Sequence, residues 1–158
     1  MEINVLIEEG FGGCLEADWL KGVAEKVLLA EGAGPKIELG LVIAGQEKVQ
    51  RLNKTYLGRD GPTDVLAFAL EQQEAGGGQS TFVVPPDGIT HLGEVIISYP
   101  QAAIQAGEHQ HSVEREIAIL IIHCVLHLLG YDHEEPEEEA KMRAREQEIL
   151  RTVEEILK

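Results

Sequence analysis

The feature that most constrains this chain is the segment at 117–133, IAILIIHCVLHLLGYDH. From residue 117 to residue 129 almost every side chain is apolar, which predicts a helix that is buried on all sides. Two histidines inside such a helix need partners, because a buried polar group without a partner costs free energy. Any fold of this chain must therefore bury this helix and supply those partners.

Three histidines of this segment have the spacing of metal ligands. His123 and His127 are four residues apart, so their rings lie one turn apart on the same face of a helix. Gly130 ends the helix and lets the chain turn back, which brings His133 close enough to complete a three-nitrogen site. Three neutral imidazoles favour Zn²⁺ over Mg²⁺ or Ca²⁺ and leave a fourth position for water, as in catalytic sites. The sequence therefore predicts one zinc ion per chain; hydrogen-bonded core histidines are the alternative.

The residue after the first histidine separates two classes of zinc enzyme. The metzincin proteases share this spacing as HExxHxxGxxH, where the glutamate is the general base. Cys124 takes that position here, and a buried neutral thiol is a poor base. Zinc can still provide hydroxide or stabilise charge on a phosphoryl group, and this chemistry needs nearby cations more than a glutamate. A zinc peptidase-like hydrolase, with a carboxylate from Glu94, remains the alternative.

The hydrophobic pattern predicts an α+β fold, with a small mixed sheet of about four strands packed with about five helices. Strands are predicted at 3–8, 37–43, 63–70 and 92–98, and helices at 19–30, 46–56, 100–107, 113–129 and 137–157. Asp18 is the predicted N-cap of the first helix and Ser112 that of the fourth. The polar stretch at 72–88 is predicted to be a loop.

Length and cysteine content predict one cytoplasmic domain that spans residues 1–158. The two cysteines lack a CxxC or framework spacing, which is typical of a reducing compartment. The start of the chain has no basic leader, and no apolar run is long enough to span a membrane.

The charge of the chain is strongly acidic but uneven. The net charge is −15, from 28 acidic and 13 basic residues, which argues against a broad basic surface for nucleic acid. Lys48, Arg51 and Lys54 fall within one third of a helix circumference, however, and Arg59 follows them. A local basic patch near the metal is the kind of surface that phosphate chemistry needs.

Three stretches of the chain together match the sequence motifs of one protein family. HCVLHLLGYDH at 123–133 is similar to the family signature HGxLHLxGYDH. NKTYLGRDGPTDVLAF at 53–68 resembles the family's NxxYRxxDxPT[DN]VLSF, and HLGEVIIS at 91–98 resembles its LGDIxIS strand. The order and spacing of the three stretches match as well, so the chain resembles the YbeY family.

The resemblance implies a bacterial, metal-dependent endoribonuclease that is specific for single-stranded RNA. It implies a role in ribosomal RNA maturation, notably of the small subunit, and in ribosome quality control. The partners would be single-stranded RNA and the ribosome or its proteins. The family fold is an α/β sandwich with the metal in a cleft between sheet and helices, so the chain is expected to be a single metal-dependent hydrolase domain. A ribosome-assembly factor with a structural zinc is the non-enzymatic alternative.

The resemblance places the metal site residue by residue. It assigns zinc to His123, His127 and His133. Asp132 is expected either to orient His133 as a supporting carboxylate or to cap the following turn. In the non-enzymatic alternative, Asp132 or Cys124 would be the fourth ligand. Cys124 replaces a family glycine, which adds bulk beside the metal.

The resemblance is less complete at the substrate-binding positions. The family arginine that is thought to engage phosphate falls on Leu57, so Arg59 is the expected catalytic cation instead. Lys54 is expected to bind substrate, and Asp64 either binds substrate or makes a hydrogen bond at the entry of its strand. Ala67 replaces a family serine and removes a polar contact.

Overall fold

The computed structural model describes residues 2–11, 13, 15–32, 36–58, 63–69, 90–130 and 136–154. This part of the chain contains four strands and five helices, which confirms the predicted α+β fold. In chain order they are β1 (Glu2–Ile7), α1 (Ala17–Ala30), β2 (Ile37–Ala44), α2 (Gln46–Leu57), β3 (Val65–Ala69), β4 (Thr90–Ser98), α3 (Tyr99–His109), α4 (Val113–Leu128) and α5 (Pro136–Glu154). None of these helices has the length and apolarity needed to cross a bilayer.

The four strands form one mixed sheet in the order β1-β2-β4-β3. β1, β2 and β4 are parallel, whereas β3 runs antiparallel to β4. The carboxyl ends of three strands and the start of β3 therefore share one edge of the sheet, which we call the carboxyl edge. The backbone N–H of Ser98 donates to the carbonyl of Asp64 at 2.8 Å, and this bond fixes Asp64 at the carboxyl edge.

The sheet is covered on both faces, because alternate residues of its strands are apolar on each side. Leu41, Ile43, Val95 and Ile97 belong to the large core that also contains the buried residues of α1, α4 and α5. The opposite face packs against α2 in a smaller cluster of Ala44, Val49, Leu66 and Ile96. Each fully buried leucine or isoleucine contributes about 1.5–3 kcal/mol, so the larger core dominates stability.

The helix starts agree with the sequence in part. Ser112 caps α4 as predicted, and its hydroxyl accepts the backbone N–H of Arg115 at 3.2 Å. The prediction for Asp18 is wrong, because α1 begins earlier and Glu16 is its N-cap residue. Asp18 instead lies in the first turn, where its negative charge interacts favourably with the positive end of the helix dipole. The predicted loop at 72–88 lies outside the described residues.

Candidate metal site on helix α4

Helix α4 leaves one stripe of its surface accessible, and the two histidines lie on it. Ile119 and His123 are half-buried and His127 is exposed, while the neighbouring residues of the helix are buried. The prediction that this helix is buried on all sides is therefore wrong for this stripe. Contacts with the sheet, α1, α3 and α5 cover the other sides. The helix thus presents two imidazoles one turn apart instead of enclosing them.

A carboxylate from α5 holds the first of these histidines. Nδ1 of His123 lies 2.6 Å from Oε1 of Glu146. This hydrogen bond raises the pKa of His123; burial opposes the rise, and the charges of Glu146 and Asp64 add to it. A carboxylate on one ring nitrogen fixes the tautomer and the ring orientation, as it does for histidines that bind metals. Coordination by His123 would therefore use Nε2.

Helix α5 is anchored to the end of α1 at the residue next to Glu146. Arg145, the residue before Glu146, contacts the Glu31 carboxylate and the Ala30 carbonyl at the end of α1. Glu146 was missed by sequence reasoning because it lies 23 residues from His123 on another helix. No local spacing relates the two residues, and the many acidic side chains of α5 gave no signal that would select this one.

The charge of Asp64 and the thiol of Cys124 are two further features of this site. The negative charge of Asp64 contributes to the raised pKa of both His123 and Cys124. Cys124 is buried, and burial is the main cause that raises its pKa to about 12. A thiol in this state is neither a base nor a ready metal ligand, since the thiolate is the reactive form.

The other predicted site residues are placed as follows. Lys54 is exposed in the last turn of α2, on the face of the sheet opposite α4, so the structure does not group it with the histidines. Arg59, Asp132 and His133 lie outside the described residues.

Glu94 was the expected carboxylate donor of a peptidase. Glu94 is two residues before Ile96 on β4, and the side chain of Ile96 packs in the α2 cluster. Successive side chains of a strand alternate between faces, so Glu94 points away from α4. The peptidase-like alternative therefore lacks its carboxylate at this position.

A second histidine–carboxylate group lies at the turn between α3 and α4. His109 Nδ1 and His111 Nε2 are 2.9 and 2.6 Å from the same oxygen, Oε1 of Glu116. Glu116 is only 3% exposed, and its hydrogen bond raises the pKa of His109. These three residues form a group that can hold a metal ion. Nothing in the sequence around the two histidines indicated this buried partner.

The side chain of Gln105 connects this second group to the first. With its amide nitrogen facing both carboxylates, it donates to Oε2 of Glu116 at 3.2 Å and to Oδ2 of Asp64 at 3.1 Å. Two like charges are thus bridged by one neutral donor group. A continuous polar network therefore extends from the surface of the α3–α4 turn to Asp64 at the carboxyl edge.

The fold and the family comparison define the class of protein. A family model described as "Endoribonuclease YbeY" matches residues 15–154, which is nearly the whole chain. The chain therefore belongs to the YbeY family, and the resemblance drawn from three sequence stretches is confirmed.

Individual relatives agree with this assignment. The chain is similar to the Endoribonuclease YbeY of Dehalococcoides mccartyi, with 49% identity over 99% of each chain. It is also similar to the Endoribonuclease YbeY of Roseiflexus sp., with 41% identity over 96% of this chain and 92% of the relative. The solution structure of TM1509 from Thermotoga maritima has the same fold, with a TM-score of 0.62 and 24% identity over 96% of this chain and 88% of that one.

Proposed function

We propose that the protein is a metal-dependent endoribonuclease that cuts single-stranded RNA. Its role would be ribosomal RNA maturation, notably of the small subunit, and ribosome quality control in the cytoplasm. Residues 1–158 would act as one hydrolase domain whose partners are single-stranded RNA and the ribosome or its proteins. Membership of the YbeY family supports the nuclease activity. The observation that carries the metal dependence is the accessible pair His123 and His127, with Glu146 on Nδ1 of His123.

The donor set fits one zinc ion held by His123, His127 and His133, with Asp132 orienting His133. The described part of this set has two features of such a site: imidazoles one turn apart and a carboxylate behind one of them. When bound there, zinc would lower the pKa of a water molecule or stabilise the charge that develops on a phosphoryl group. The high pKa of Cys124 makes a fourth thiolate ligand unfavourable, which supports an open catalytic site over a closed structural one.

Asp64 and the cations have different parts in substrate binding. An ionised carboxylate accepts hydrogen bonds and repels phosphate, so Asp64 is suited to a ribose hydroxyl and not to the backbone phosphate. The network bond from Gln105 and the backbone bond to Ser98 would hold Asp64 in place at the carboxyl edge. Arg59 would supply the positive charge for the phosphate at the metal, whereas Lys54, on the α2 face of the sheet, would contact RNA away from the metal.

The net charge of −15 limits how RNA can bind. A protein that neutralises many phosphates shows a steep dependence of affinity on salt, because each contact releases counterions. This protein would make few such contacts, so its RNA affinity should depend weakly on salt and mainly on local contacts near α4.

The test uses zinc-loaded protein and a ribosomal RNA fragment in single-stranded and duplex form. Cleavage of the single strand by the wild type is expected, with loss of cleavage in His127→Ala and after chelation. His91→Ala is the matched control, because His91 lies on β4 and is bonded to Glu38 at 3.0 Å. Equal binding of RNA without cleavage by wild type and His127→Ala would contradict the proposal and favour an assembly factor.

A further inference from the structure

The turn between α3 and α4 places two imidazoles around one buried carboxylate. We infer that His109, His111 and Glu116 form a second site for a divalent transition-metal ion, distinct from the site of His123 and His127. Their three donor atoms lie within 4.8 Å of one another. The inference does not depend on the proposed nuclease function, because it rests only on the geometry of this turn.

The backbone of the turn explains why both imidazoles reach the same oxygen. Gln110 lies between the two histidines in the left-handed region, with φ 58° and ψ 42°. It is the non-glycine residue with positive φ in the described part of the chain. This conformation reverses the chain after α3, and the two rings come to lie 5.5 Å apart between centroids.

The donor types are those that bind zinc and other first-row metals. Two imidazoles with one carboxylate is the ligand set of several zinc enzymes and of non-haem iron sites. Metal–ligand bonds of about 2.0–2.2 Å separate tetrahedral ligands by roughly 3.4 Å. The present separations from Oε1 are 2.9 Å for His109 and 2.6 Å for His111, so the groups need to move apart by less than about 1 Å to admit an ion. The His109 side chain is 58% exposed, which gives the ion and its water ligands a path from solvent.

A supporting contact orients the carboxylate for this role. The Gln105 amide donates to Oε2 of Glu116, on the oxygen that the histidines do not use. Carboxylate ligands are commonly held by such a second hydrogen bond, which leaves the other oxygen directed at the metal. Glu116 is thereby held from inside the protein while its coordinating oxygen faces the two rings.

The spacing along α4 decides what this ion can do. Glu116 and His123 are seven residues apart on one helix, which corresponds to about 10.5 Å along its axis. Two-metal catalysis requires ions about 3.5–4 Å apart. The second ion would therefore take no part in bond cleavage, and it would instead fasten the end of α3 to the start of α4.

The experiment counts zinc ions per chain. Untagged, full-length protein is stripped with a chelator, equilibrated with Zn²⁺, desalted and analysed by mass spectrometry of the metal. Two ions are expected for wild type and for the control His91→Ala, and one ion for His127→Ala. One ion is also expected for His109→Ala/His111→Ala, and none when these changes are combined with His127→Ala. Zinc should raise the melting temperature of His127→Ala and leave that of the triple variant unchanged.

A milder variant guards against loss of the fold. His109→Ala removes one exposed ligand and keeps the bond between His111 and Glu116, so circular dichroism should be unchanged. Its affinity for the second zinc ion should fall at least tenfold. A result of one zinc ion in wild type and none in His127→Ala would overturn the inference. His109, His111 and Glu116 would then be joined by hydrogen bonds without a metal ion. Two ions that persist in His109→Ala/His111→Ala would overturn it as well, whereas two ions in His127→Ala would count against the nuclease metal site only.

Discussion

Helix α4 carries two histidine–carboxylate contacts, and they are built in opposite ways. At the His123 contact the imidazole side chain is 44% exposed and the supporting Glu146 is 24% exposed. At the α3–α4 turn the carboxylate is the buried member, since the Glu116 side chain is 4% exposed and His111 is 19% exposed. The first arrangement presents a ring to the accessible stripe and steadies it from behind. The second encloses a negative charge and surrounds it with rings. The same pair of residue types thus gives a site that faces outward in one case and a structural junction in the other.

The largest difference is expected in stability. Replacing Glu116 by Ala in metal-free protein should lower the free energy of unfolding by about 2 kcal/mol, because the largely enclosed His111 and the Gln105 amide lose the acceptor that they share. Replacing Glu146 by Ala should cost less than about 1 kcal/mol, because this pair is partly exposed. Urea denaturation of both variants measures the two values. Equal losses would show that the two contacts are not different in kind.

Zinc affinity should depend strongly on the Glu146 contact, although this contact contributes less to stability than the Glu116 contact does. Glu146→Gln should weaken zinc binding at the His123 site by about 10–100-fold, because the ring loses the charged acceptor that fixes its tautomer. Glu148→Gln is the matched control on the same helix, with a side chain that is 61% exposed and bonded to Arg145. Competition with a chromophoric chelator, carried out in the His109→Ala/His111→Ala background, gives the affinity. An unchanged affinity in Glu146→Gln would remove Glu146 from the metal site.

A smaller effect is expected in the pH dependence of metal-free protein. Glu146 raises the folded-state pKa of His123 above its ordinary value of 6.5. This contact therefore contributes stability that is fully present below about pH 6.5 and is lost as the pH rises through the raised pKa. The difference in melting temperature between wild type and Glu146→Gln should accordingly be larger at pH 5.5 than at pH 8.5. A difference that grows toward alkaline pH would contradict the contact.

The smallest expected effect is the reaction of Cys124 with a thiol reagent. Cys124 follows His123 in sequence, but its side chain is buried in the core. Its pKa of about 12 and its burial predict negligible reaction with a thiol reagent up to about pH 9 in the folded protein. The Cys14→Ser variant isolates this thiol, and full reaction should follow only after addition of denaturant. Rapid reaction of the folded variant would mean that the core side of α4 opens readily.

The sequence was sufficient for the parts of the fold that depend on local patterns. The hydrophobic pattern predicted all four strands to within a few residues, and the four-residue spacing placed His123 and His127 on one face of α4. It failed where the answer depended on distant parts of the chain. The accessible stripe of α4 could not be anticipated, because it is defined by where α5 and the sheet do not reach.

The partners of the histidines were inaccessible to sequence reasoning for the same reason. Glu146 and Glu116 are two of 28 acidic residues, and nothing in their local sequence marks one as half-buried and the other as enclosed. Only the packing of helices against each other selects them. The Asp18 error was local: Asp18 is a common N-cap type, but the helix started earlier, at Ala17.

The antiparallel direction of β3 determines at which edge of the sheet insertions and deletions between β3 and β4 would enter the chain. Because β3 starts at the carboxyl edge beside Ser98, it ends at the other edge, where β4 begins. The end of β3 at Ala69 and the start of β4 at Thr90 thus both lie on the side of the sheet away from Asp64. Insertions, deletions or a fused reporter between residues 70 and 89 would join the chain at that far edge. Sequence changes at the carboxyl edge would alter the residues of the candidate site, whereas changes at the opposite edge would enter the chain away from it.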